Sequence, residues 1–149
     1  MFEDAIDYIK KSSKESSVYI GSDSIRFKKK SGEWFARFST VVIIHIDGCK
    51  GGKIFYDTIT EPDYGVLQTR LLREVGLAVD VANLINPHLG GRTMEIHLDI
   101  NSDKKHKSSI AVKEALGWVT GMGYDAKVKP ESWAASHAAD HVVKLKKTA

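Results

Sequence analysis

Four acidic residues and one histidine stand where such side chains are unusual, and together they can support metal-assisted hydrolysis. Asp23 lies in Val-Tyr-Ile-Gly-Ser-Asp-Ser (18–24), a β-branched and aromatic run with the character of a short strand. An aspartate is disfavoured in a strand and costly in a core unless something pairs with it. Asp99 closes a second strand within Ile-His-Leu-Asp-Ile-Asn (96–101). Glu74 comes three residues after Leu71 and one before Val75, so on a helix it borders the apolar stripe. Asp140 follows His137 by three residues, on one helix face. Each has a plainer role alone: a turn cap for either aspartate at a strand end, a pair with Arg70 or Arg73 for Glu74, a solvated position for Asp140. Jointly they suit a metal site, because ligands in α/β sheets gather outside the carboxyl ends of the strands. Hard oxygen donors in this number favour Mg²⁺ or Mn²⁺ over zinc. Such a cluster can hold two ions roughly 4 Å apart, which activate a water and stabilise the leaving oxygen of a phosphodiester. His137 has the ionisation range to steer that water or shuttle a proton. The stretch 99–103 mimics the start of a calcium loop, but the required glycine is Lys104 and the closing glutamate is Ile110, which excludes an EF-hand.

The basic residues point to a polyanion. Lysines cluster at 28–30, at 104–107 around His106, and at 144–147. Lys104, Lys105 and Lys107 immediately precede a helix opened by Ser108, and helix N-termini hold phosphate. Lys129 is a further phosphate candidate, or a brace for its strand end. The other two clusters read as solvated charge. Tyr64 and Trp133 can stack on bases, although Trp133, beside Ala134 and Ala135, reads more simply as core.

A chain of 149 residues with net charge +3 is expected to form one domain, 1–149, with a sizeable core. The longest apolar run, 41–46, is too short to span a membrane, and the acidic N-terminus lacks a secretory layout. The single cysteine, Cys49, excludes an internal disulfide and a cysteine-based zinc site. A cytoplasmic setting is the expectation. No dimer face is marked: Trp34 and Phe35 are the best apolar candidates, and they read as strand core.

Periodicity supplies the elements that must position these groups. Apolar residues at helical spacing predict a leading helix over 2–10, followed by strands over 18–27, 34–46 and 53–60 joined by short turns, hence antiparallel. Leu67, Leu71, Val75, Ala78, Ala82 and Ile85 form the stripe of a helix over 65–86. Residues 93–100 alternate, with Met94, Ile96, Leu98 and Ile100 on one face and Glu95, His97 and Asp99 on the other. A helix over 108–122, a fifth strand over 124–129 and a last helix over 132–147 complete the order. The expectation is an α/β fold: a mixed five-stranded sheet, three antiparallel strands then βα units, with helices packed on it.

That order, with acidic residues on strand one, the first long helix, strand four and the last helix, resembles the ribonuclease H-like superfamily. More narrowly it resembles the YkuK group. The matching stretches are Tyr-Ile-Gly-Ser-Asp-Ser (19–24), Ile-His-Leu-Asp-Ile-Asn (96–101), Lys-Ser-Ser (107–109), Gly-Met-Gly-Tyr (121–124), Lys-Pro-Glu-Ser-Trp-Ala-Ala-Ser (129–136) and Ala-Ala-Asp (138–140). The resemblance implies a metal-dependent nuclease with Asp23, Glu74, Asp99 and Asp140 as ligands, acting on DNA, RNA or a hybrid. His-Ala-Ala-Asp (137–140) is similar to the corresponding end of RuvC-type resolvases, where a histidine near the last aspartate assists. Two alternatives follow: a structure-selective DNA endonuclease of that kind, and a non-catalytic nucleic-acid-binding module on the same fold.

Overall fold

The computed structural model describes residues 2–46, 52–101, 103, 105 and 107–134. Its elements are α1 (Glu3–Lys11), β1 (Ser17–Lys28), β2 (Trp34–His45), β3 (Gly52–Pro62), α2 (Leu67–Ile85), β4 (Thr93–Asn101), α3 (Val112–Gly121) and β5 (Asp125–Lys129). The five strands form one sheet in the order β3-β2-β1-β4-β5. β1 to β3 pair antiparallel, while β4 and β5 join parallel. This is the expected mixed α/β architecture of the ribonuclease H-like fold, with the short N-terminal helix in place.

Local chemistry explains the elements. The β1–β2 turn closes through Lys29 N–H to Glu33 O (2.9 Å) and Gly32 N–H to Lys29 O (2.9 Å), with Gly32 at a φ of 93° that a side chain would oppose. The hairpin then pairs out to Lys28 opposite Trp34, one residue further along β1 than periodicity indicated. The inner face of α2, with Leu71, Val75, Ala78, Val79, Ala82 and Ile85, packs on Val18, Ile20, Val42, Ile44, Ile96 and Leu98. Each of these large side chains contributes about 1.5–3 kcal/mol by leaving water. On the opposite sheet face, Val41 and Ile43 are buried with Ala134, under Tyr19 and Trp133. The inner half of β2 is thus covered on both sides, as its uninterrupted apolar run implied.

The structure departs from the sequence reading in two places. The stretch expected as a helix from Ser108 opens as a 3₁₀ segment, Lys107–Ala111, and becomes α-helical only at Val112. Ser108 Oγ there accepts the backbone N–H of Asn101 at 3.0 Å, so the hydroxyl ties the segment to the end of β4. Trp34 is 43% exposed at the hairpin tip, with the Arg26 guanidinium 4.5 Å over its ring. The polar face of β4 is not uniformly wet: His97 is fully buried. The last expected helix lies outside the described residues beyond Ala134.

Candidate metal centre

The site is made by two strands that part company. The parallel ladder between β1 and β4 ends at Gly21 opposite His97. Asp23 and Asp99 each lie two residues further on, hence on the same sheet face as one another. Past that point β1 stays paired with β2, Asp23 opposite Ser39, while β4 shifts its register against β5 between His97 and Asn101. Into this opening α2 delivers Glu74 from the first-turn side of its buried stripe. One carboxylate oxygen from each of Asp23, Glu74 and Asp99 lies within 4.8 Å of the others.

Bonds from neighbouring residues hold the three in place. The Ser24 backbone N–H donates to Asp23 Oδ1 (2.8 Å), and the Ser24 hydroxyl donates to Glu74 Oε2 (2.5 Å). Arg70, one helical turn before Glu74, donates to that same hydroxyl oxygen at 2.8 Å. Lys129 Nζ pairs with Asp99 Oδ1 at 2.8 Å. Arg73, the other pairing partner considered for Glu74, instead forks onto Glu61 at 3.0 and 2.8 Å.

Electrostatics makes the cluster expectant of a cation. Burial, then the Glu74 charge and the hydrogen bond and charge of Asp99, hold the Asp23 carboxyl far above the usual carboxylate range. Burial also raises Glu74; the Ser24 hydroxyl opposes it, Asp99 adds to it, and Arg70 and Lys129 lower it again. Three hard oxygen donors from separate elements fit a divalent ion such as Mg²⁺ or Mn²⁺, which neutralises the repulsion that protons otherwise relieve. Ser39 supports the fit. Its hydroxyl is fully buried on the strand position opposite Asp23 and has no hydrogen-bond partner among the described residues. A buried hydroxyl left in that state is costly unless an occupant of the site takes it up.

Of the other residues singled out, Lys105 and Lys107 are exposed in the connection that follows β4, and Lys129 joins the carboxylates. Lys104, His137 and Asp140 lie outside the described residues. Sequence reasoning named Arg70 only as a surface partner for Glu74, from their helical spacing, and passed over Ser24 and Ser39. It also gave His97 no role, placing it only on the face of the strand shared with Glu95 and Asp99. The Ala134 N–H donates to His97 Nδ1 (3.1 Å), so Nε2 carries the proton and donates to Glu95 Oε1 (3.0 Å). Burial holds this ring below the ordinary histidine range, although Glu95 opposes it. Tyr19, Trp133 and His45 enclose the same position, with ring centroids 4.9–5.3 Å apart. His97 is therefore a clamp between β4 and the segment leading to His137 and Asp140.

Comparison with known proteins bears on the family of the chain. An uncharacterized protein named YkuK, from Bacillus subtilis (strain 168), is 29% identical to this chain over an alignment covering 96% of the chain and 91% of that protein. Residues 1–144 match the family described as Ribonuclease H-like. The fold, the strand-end carboxylates and this match converge, and the chain belongs to the ribonuclease H-like family.

Proposed function

We propose that this chain is a single-domain, divalent-metal-dependent nuclease that hydrolyses phosphodiester bonds in nucleic acid. The observation that carries the proposal is the convergence of Asp23, Glu74 and Asp99, from β1, α2 and β4, within 4.8 Å. Mg²⁺ or Mn²⁺, one ion or two, supplies Lewis-acid activation of water and stabilisation of the leaving oxygen when bound. Asp23 and Asp99 hold it from the strand ends and Glu74 from the helix, with Ser24 and Arg70 fixing the Glu74 rotamer. Asp140 is the fourth ligand and His137 the group that moves a proton. Lys104, Lys105, Lys107, Lys129 and the Ser108 region hold backbone phosphate beside the scissile bond.

The test is cleavage of single-stranded DNA, duplex DNA, RNA and RNA–DNA hybrid with Mg²⁺ or Mn²⁺ by wild type, Asp23→Asn and Asp140→Asn. Wild type is expected to cut at least one substrate and both variants to lose that activity. No cleavage of any substrate, or equal cleavage by Asp23→Asn, overturns the proposal. Near-wild-type activity of Asp140→Asn removes that residue from the ligand set. Preference for four-way junctions by a dimer would redirect the assignment to a resolvase.

A further inference from the structure

Lys129 is the last residue of β5 and pairs in register with Asn101 of β4, so the sheet itself delivers its side chain to the carboxyl end where the aspartates sit. The ammonium stands 2.8 Å from Asp99 Oδ1, and its charge is felt by Asp23 and Glu74 as well. It is not locked in: the Lys129 side chain is 37% exposed, against 17% for Asp99. We propose that Lys129 is a resident counter-ion of the carboxylate cluster, exchanged for the divalent cation when the site loads. This rests on the metal-centre reading above and adds a positioning role to it.

The physical argument is cation–cation repulsion. Three carboxylate oxygens within 4.8 Å of one another repel strongly unless a positive charge stands among them. Protons relieve part of that repulsion in the metal-free protein, and Lys129 supplies a resident positive charge beside Asp99. A dication ligated by Asp99 would stand within about the width of one carboxyl group of that ammonium, in surroundings that screen poorly. Both charges cannot remain there, and the partly exposed lysine has a path into water that the metal ligands lack. Its four-carbon stem then lets the ammonium swing outward while remaining near the site mouth, where a phosphate ester would arrive. The exchange weakens apparent metal affinity by the worth of the ion pair that must break. In return, the empty site keeps its ligands close together, ready for the ion.

The test is calorimetric titration of Mn²⁺ into the purified full chain as wild type, Lys129→Met, Lys129→Arg and Asp99→Asn, with thermal melts of each in chelator and in saturating Mn²⁺. Methionine keeps the apolar stem and the strand end, and loses the charge. Lys129→Met is expected to bind Mn²⁺ about 3- to 5-fold more tightly than wild type, the upper range for a partly exposed ion pair. Lys129→Arg should stay within about 2-fold of wild type, because it retains the competing charge. In chelator Lys129→Met should melt below wild type, and the gap should close in Mn²⁺. Unchanged or weaker Mn²⁺ binding by Lys129→Met, while Asp99→Asn abolishes binding, overturns the exchange and leaves the metal centre standing. An equal gain in Lys129→Arg assigns the effect to packing and also overturns it. No Mn²⁺ binding by wild type overturns the metal reading and the exchange with it.

Discussion

Ser24 carries three connections at once: its N–H holds Asp23, its hydroxyl donates to Glu74, and it accepts from Arg70. Groups that orient metal ligands from behind commonly change affinity 10- to 100-fold when removed. Ser24→Ala is therefore expected to weaken Mn²⁺ binding by about 10-fold while leaving the fold intact, measured by titration calorimetry alongside circular dichroism. The cluster also sets a pH dependence. Asp23 and Glu74 have folded-state pKa values raised above those of the unfolded chain. Such groups stabilise the fold fully below the unfolded carboxyl value of about 4, and that contribution is lost as pH rises toward the folded values. Metal-free protein should thus need less urea to unfold at about pH 9 than at about pH 7, a window above the titration of His97. Asp23→Asn removes one of the repelling charges and should flatten that slope; a slope equal to that of wild type would show that Asp23 does not titrate there.

At the level of elements, the geometry of the carboxylate cluster depends on β1 and β4 separating after Gly21 and His97, and on what seals the face beyond. The His97 clamp performs the sealing, with one bond to each of Glu95 and Ala134 and a ring enclosed by Tyr19 and Trp133. His97→Ala should destabilise the protein by about 2–4 kcal/mol, combining a lost buried ring with an orphaned Ala134 N–H. Chemical denaturation measures this directly. His97→Gln, which can still accept from Ala134, should recover part of the loss; no difference between the two variants would leave packing alone as the cause. The 3₁₀ opening after β4 has its own consequence. Because Ser108 Oγ caps Asn101, Ser108→Ala should loosen the Lys105–Lys107 connection and weaken nucleic-acid binding more than it weakens the fold.

For the whole molecule, a net charge of +3 gives no strong global attraction to a polyanion, so the proposed nucleic-acid binding calls on local lysines in the connection after β4. Lys105→Ala combined with Lys107→Ala should lower affinity for every nucleic acid tested and reduce the log–log salt slope by about 1–2, read by fluorescence anisotropy across a salt series. A slope unchanged from wild type would place the phosphate contacts elsewhere. How the molecule comes to present these groups divides between sequence and tertiary structure. Periodicity alone placed Asp23 and Asp99 at strand ends and Glu74 at the border of an inner helix face, because alternation and the 3.6-residue repeat are properties of a single element. The mixed sheet was legible for the same reason, since short turns force antiparallel neighbours and helical crossovers bring parallel ones. What no single element encodes is which element lies beside which. Arg70, Ser24 and Glu74 are linked across 46 and 50 residues of sequence, and Ala134 reaches His97 across 37. Trp34 reads as core by hydrophobicity and is exposed at the end of the β1–β2 hairpin, opposite Lys28. The sequence determined the carboxylate types and the faces they occupy; only the sheet order β3-β2-β1-β4-β5, with β1 and β4 parting at Gly21 and His97, decided that Asp23, Glu74, Asp99 and Lys129 come together.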